Sequence, residues 1–390
     1  MRILRSDRFA AIALAIAAVL GLLLANSAAG TSIFHFFEQH VGVAGTAYDM
    51  SLAHWVTEGL LAVFFFIVAV DLRHEFRSGE LNSPRKVLVP AIAAVGGVVV
   101  PALLYLALAV SEQPGGWPIP TATDIAFALG LIAIVGRNLP KRIRVFLLAL
   151  AVLDDLIAIV IIAVFFAQDI NFAGLSGAAI CLLFFWHAGN RNMIPGLRPA
   201  LLIFFAVATW AFVYASGVHA TIAGVALGLV MRPALAEKTV HAILPLNNAV
   251  ILPLFAFVSA LVVIPQLPLW QMSAVFWAIV IALPVGKIIG ITLGGWFANL
   301  VTRQPRSAGV RGWDLFTVAA VGGIGFTVSL LMNELALAGS PELRDQGVLA
   351  VLTGSAISIV VGGCLIAWRS RVNTLAGGHE RVEEGLDPTD

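Results

Sequence analysis

Charge is scarce in this chain. Only 12% of its 390 residues are Asp, Glu, Lys or Arg, whereas a soluble domain carries about a quarter. That shortage excludes an ordinary water-soluble fold, and the 60% hydrophobic content and mean hydropathy of +0.96 agree. Cysteine is nearly absent as well. Cys181 and Cys364 each sit inside an apolar run, which excludes a disulfide framework, and no Cys-x-x-Cys or His-Glu-x-x-His spacing offers a metal site. No cofactor and no enzymatic activity are expected. The net charge of +1 is informative only through where the charges lie, and no nucleic-acid partner is expected. What the chain has in abundance is apolar runs long enough to cross a bilayer, so lipid is its first expected partner.

Twelve apolar segments alternate with short polar loops, near 9–28, 52–70, 87–110, 118–135, 143–167, 172–188, 197–214, 217–231, 245–264, 270–297, 313–335 and 347–368. The expected fold is an all-α polytopic membrane protein of twelve transmembrane helices. Residues 1–375 form one transmembrane domain, followed by a polar cytoplasmic tail, 376–390, expected to be disordered. Arg2, Arg5 and Arg8 before the apolar stretch Phe9–Leu24, and ANSAAG after it, have the layout of a signal peptide. The apolar core is long for one, and it reads as a retained first helix.

With the N-terminus in the cytoplasm, every Lys and Arg except Arg344 and Lys287 falls on the cytoplasmic side. Arg73, Arg77, Arg85 and Lys86 fill one inside loop, and Arg137, Lys141, Arg142 and Arg144 the next. Later inside loops carry Arg191 and Arg198, then Arg232 and Lys238, then Arg303, Arg306 and Arg311, with Arg369, Arg371 and Arg381 at the end. That asymmetry places both termini inside.

Two segments are interrupted. The fourth, WPIPTATDIAFALGLIAIVG, has Pro118 and Pro120 just before Thr121, Thr123 and Asp124. The eleventh, LFTVAAVGGIGFTVSLL, has Gly322, Gly323 and Gly325 at its centre. A helix broken within the bilayer is tolerable only where the break lines protein or a water-filled cavity. Each break is the middle member of a group of three, segments 3–5 and 10–12, and the second group runs opposite to the first. That layout, without visible sequence identity between the groups, points to inverted repeats with a binding site at their interface.

Ionisable residues sit where apolar ones belong. Asp154 and Asp155 lie together near the middle of FLLALAVLDDLIAIVIIAVFF, Asp124 lies in the first break, and Lys287 in ALPVGKIIGITLG. Standing alone in lipid, the four would cost roughly 10–14 kcal/mol together, so they must face one another or water. Neighbouring residues on a helix point about 100° apart, so the two aspartates cannot share one environment. The preferred assignment pairs Asp154 with Lys287 and leaves Asp155 as the exposed ligand. A carboxylate that exchanges its proton for a hard monovalent cation, Na+ or Li+, accounts for such a cluster. Thr123 adds a hydroxyl, and the breaks add backbone carbonyls. Asp124 can balance positive helix ends at the break and Lys287 negative ones. A buried ion-pair network that only fixes packing would explain one acid, but not an acid pair, a third acid, a lysine and two breaks.

These residues stand in runs that resemble the NhaA family of sodium/proton antiporters of bacteria. FFFIVAVDLRHEF, PALLYLAL, IPTATDIAFALG, LALAVLDDLIAIVIIA, SGVHATIAGV, ILPLFAF, GKIIGI and GGIGFTVSL are similar to that family's motifs, in its order, over nearly the whole chain. The family is itself a known case of inverted repeats with discontinuous helices. The resemblance implies that segments 4 and 11 cross as unwound chains beside the aspartate pair, with Asp154 and Asp155 as cation and proton site and Asp124 and Lys287 compensating charge at the crossing. It implies electrogenic, pH-regulated exchange by alternating access in the bacterial inner membrane. It also implies dimer contacts through TSIFHFFEQHVGVAGTAYDMS, between segments 1 and 2.

The resemblance is imperfect at the cytoplasmic mouth, where the family senses pH through acids and histidines. Asp71 stands where Glu is common, Glu75 matches, His219 and His241 match histidines, and Val240 stands where an acid is expected. Glu58 occupies the family's Asp position in segment 2, a structural role being the simplest. Three other readings remain at this point. A sodium-coupled symporter of organic anions needs a more polar site, an intramembrane aspartyl protease needs a Gly-x-Gly-Asp signature that is absent, and a cation channel needs no coupled proton site.

Overall fold

Among the described residues of the computed structural model, ten helices are long and apolar enough to cross a membrane. Those described residues are 3–79, 81–136, 139–167, 169–191, 196–302, 310 and 312–383. Arg2, Arg137, Arg303, Arg306, Arg311 and residues 384–390 of the polar tail lie outside them, as do the side chains of Arg85, Lys86, Lys141 and Arg381.

The helices that matter below are α1 (Asp7–Ala25), α2 (Leu52–Arg77), α3 (Pro84–Ala109), α4 (Ile125–Val135), α5 (Lys141–Phe165), α6 (Phe172–Asn190) and α7 (Leu197–Ala215). They continue with α8 (Thr221–Val230), α9 (Pro233–Ser259), α10 (Ala274–Thr302), α11 (Trp313–Gly322), α12 (Phe326–Ala336) and α13 (Pro341–Glu383). All twelve apolar segments meet a helix or a helix pair. Helices α11 and α12 are bent 47° at their break and, counted together, give an eleventh candidate span by length and composition, whereas α8, with ten residues, is shorter. Segment 9 starts earlier than its apolar run, at Pro233. The stretch after α1 closes a small antiparallel hairpin, His40–Val41 against Met50–Ser51.

Lipid offers no water to a free N–H, so helix starts need side-chain acceptors. Ser6 accepts from the Phe9 N–H at 3.2 Å, Asn171 from Ala173 and Gly174, and Ser273 from Phe276 at 3.1 Å. Small residues then let helices close on one another. Gly96 of α3 faces Gly290 of α10 so closely that a Cβ on either would run into the other's carbonyl oxygen. That contact seats α10, and Lys287 with it, against α3. Gly224 and Gly228 of α8 do the same against the backbone of α2 at Ala62 and Phe66.

Three of the long helices each contain one wider, π-type turn: Trp55–Leu60 in α2, Asn247–Ile251 in α9 and Ala282–Gly286 in α10. Each presents buried polarity to the interior. The first holds Glu58, the second Asn247 and Asn248, and the third ends where Lys287 begins. Pro284 supplies no N–H to the regular ladder, which loosens α10 just before its lysine. Such turns concentrate at functional sites.

Candidate ion-binding site

The two interrupted segments meet. Segment 4 winds a short turn at Ile119–Thr121, where the Thr121 hydroxyl donates to Pro118 O at 2.7 Å, then runs extended from Ala122 until α4 starts at Ile125. Its extended stretch lies on the break of segment 11. The Asp124 N–H donates to Ile324 O at 2.6 Å and the Thr123 hydroxyl to Gly322 O at 2.7 Å. The Gly322 and Ile324 carbonyls at the break thus find donors across the crossing. Phe127 and Phe326 close it on one side, ring centroids 5.0 Å apart.

Asp124 caps two helices at once. Oδ1 accepts the Phe127 N–H at 2.9 Å at the start of α4, and Oδ2 accepts the Thr327 N–H at 3.1 Å and hydroxyl at 2.7 Å at the start of α12. Each helix start carries about half a positive charge. One carboxylate therefore accepts from the starts of two helices.

Asp154 and Asp155 sit mid-helix on α5, 2% and 4% exposed, and diverge as the helical rotation requires. Asp154 Oδ2 accepts from the Lys287 ammonium, itself fully buried. Lys287 thereby meets a full carboxylate charge, while Thr123 and Asp124 donate to the Gly322 and Ile324 carbonyls at the break. Asp154 Oδ1 and Asp155 Oδ1 have no hydrogen-bond partner among the described residues. Buried carboxylate oxygens without donors are where a proton or a hard cation would be held.

Of the pair, Asp155 lines a cavity. This cavity of about 300 Å³ is lined by Asp155, Thr123, Asp124 and Thr327 at one part and by Asp71, His74, Glu75 and Arg5 at another. Asp154 does not line it. The expected mouth acids Asp71 and Glu75 thus share one funnel with the candidate ligand. His241 lies beside it, its Nε2 2.8 Å from Arg5 Nη1. His219 does not join this group. Its Nδ1 lies 2.9 Å from Glu58 Oε1, while Glu58 Oε2 accepts the Ala220 N–H at 2.8 Å. Glu58 is thirteen residues before Asp71 on α2, about 20 Å along the axis, so His219 belongs to the opposite end of the helix.

Four further contributors carry little signal in the sequence. Thr327 holds Asp124, and its only signal is a hydroxyl two residues after the Gly break. Asn247 and Asn248 line the cavity from the π turn of α9. Asp314, at the start of α11, takes Arg142 at 3.0 Å and also binds Arg369, tying α5, α11 and α13 together at the arginine-rich end.

A buried acid pair with one member bound to a lysine, beside two crossing broken helices and on a cavity that Asp71, Glu75 and Arg5 also line, fits a helical membrane carrier of small cations. The family model described as Na+/H+ antiporter 1 matches residues 1–366. The Na+/H+ antiporter NhaA 2 of Clavibacter michiganensis is 51% identical over 382 residues, covering 96% of this chain and 93% of its own. The Na+/H+ antiporter NhaA of Tropheryma whipplei is 43% identical, covering 93% and 94%, and that of Streptomyces avermitilis 42%, covering 98% and 84%. The chain belongs to the Na+/H+ antiporter 1 family.

Proposed function

We propose that this protein is a secondary active antiporter that exports Na+ or Li+ in exchange for inward protons by alternating access. The observation that carries the reading is the divergence of the two aspartates: Asp155 faces the funnel with Oδ1 unpartnered, whereas Asp154 is held by Lys287. From the cytoplasm the cation enters past Asp71 and Glu75 and binds Asp155. The free Oδ1 of Asp154 and the Thr123 hydroxyl oxygen complete its shell, and protons leave. The interrupted segments then shift so that the site faces the other side, where protons displace the cation.

Exchange is electrogenic in this proposal. When more protons enter than cations leave, each net charge draws about 2.3 kcal/mol per 100 mV from the membrane potential. The mouth cluster of Asp71, Glu75 and His241 tunes activity to pH, with Arg5 as the partner that His241 gives up or keeps. The shape of the pH profile is the chain's own, because Val240, and not the acid that the family resemblance leads one to expect, stands beside His241.

The proposed setting is a bacterial inner membrane, with twelve crossings once α8 and the bent pair are each counted, both termini cytoplasmic, and segments 3–5 and 10–12 as inverted repeats. A homodimer forms through the hairpin after α1. The test is reconstitution into proteoliposomes with an imposed pH gradient. Na+ or Li+ added on one side collapses the gradient if the reading is right. A gradient indifferent to both cations overturns it.

A further inference from the structure

Two neighbouring asparagines, set between the apolar runs AILPL and AVILPLFAF of α9, have no part in the scheme above. Asn247 and Asn248 begin the π turn of α9, 2% and 6% exposed, and both line the funnel that reaches Asp155. Their amides are ordered by one chain of donors. The Asn248 Nδ2 donates to Leu4 O at 3.1 Å, which leaves Asn248 Oδ1 as the acceptor for the Asn247 Nδ2 at 3.2 Å. Orientation follows from that chain: Asn247 must keep its own oxygen free. Asn247 Oδ1 is buried and has no hydrogen-bond partner among the described residues. A buried amide oxygen left unpaired is costly, and a regular α-turn would carry Asn247 to another face. The π turn therefore keeps an unpaired oxygen in the wall of a cation funnel.

We propose that Asn247 Oδ1 is a neutral cation ligand partway along the funnel, between the mouth carboxylates and Asp155. There it replaces water on a partly dehydrated Na+ or Li+ and helps set the preference between them. A hard monovalent cation takes oxygen ligands, and a neutral amide oxygen holds it without trapping it. The preference follows from field strength. Li+ is smaller and gives up water less readily than Na+, so its passage depends more on each protein oxygen, and more again on a charged one. This inference rests on the exchange reading.

The test compares wild type with Asn247→Leu and Asn247→Asp in proteoliposomes. Na+- and Li+-dependent proton flux is read as kcat/KM for each cation, and the amount of protein in the membrane is measured. Asn247→Leu is expected to lower kcat/KM for Na+ about tenfold, the loss of one hydrogen-bond-like contact to a charge. The fall is larger for Li+, so the Li+/Na+ ratio drops. Asn247→Asp keeps an oxygen of higher field and raises the ratio. An amide that only anchors Asn248 and Leu4 would lower both cations in equal proportion. A ratio unchanged in both variants overturns the proposal. If Asn247→Leu does not reach the membrane, the Asn247→Asp ratio alone decides. Wild-type exchange separates the two failures: without it the antiport reading falls, and with it an unchanged ratio removes only the role of Asn247.

Discussion

Asp124 and Thr327 lie 203 positions apart in the chain and share two hydrogen bonds, Oδ2 accepting both the N–H and the hydroxyl of Thr327. Through that contact one carboxylate, fixed at the start of α4, also fixes the start of α12. The crossing of two broken helices is thereby a single electrostatic unit, and a movement of either half must carry or break this link.

Thr327→Val tests the link without touching the candidate ligands. The variant keeps the backbone N–H bond and loses the hydroxyl bond to a carboxylate, worth about 1.5–3 kcal/mol. Thermal unfolding in detergent should show a lower Tm, and exchange should slow. An unchanged Tm would mean that the hydroxyl bond carries no stability.

Lys287 and Asp154 make a second, sharper case. Removing one member of a buried ion pair strands the other charge, at about 3–5 kcal/mol. Lys287→Gln and Asp154→Asn should each lower Tm markedly. The double variant, with no charge left to strand, should recover most of that loss. Additive losses would contradict the pairing. Exchange should be impaired in all three if Asp154 Oδ1 also serves the cation.

Glu58 and His219 are expected to act on stability and not on transport. Glu58→Ala leaves the Ala220 N–H and the His219 Nδ1 without their acceptor, a cost of about 1–3 kcal/mol. The Tm should fall while the KM for Na+ stays at the wild-type value. A changed KM with an unchanged Tm would bring His219 back into the transport path.

Much of this was legible in the chain itself. Apolar length located the helices, because a run without charge has few alternatives to a membrane. Asp124, Asp154, Asp155 and Lys287 stood out because each is expensive in lipid unless partnered, and the pairing of Asp154 with Lys287 follows from the lack of another buried cation nearby. What stayed hidden depends on rotation and depth. The π turns that aim Asn247 and Lys287 inward leave no mark in hydrophobic periodicity, since they shift the helix face within an apolar run. The Gly96–Gly290 contact is a property of two surfaces, and neither sequence stretch reveals its partner. Resemblance alone groups His219 with the mouth, and the length of α2 separates its partner Glu58 from Asp71.

Asp155 is the exchanging carboxylate of the proposed cycle. The direct measurement is Na+-dependent proton flux through proteoliposomes containing Asp155→Asn, at a protein density matched to wild type and over a range of Na+ concentrations. An amide cannot give up a proton for a cation, so no flux is expected at any Na+ concentration, with the protein still folded by Tm. Wild-type flux from that variant would contradict that role.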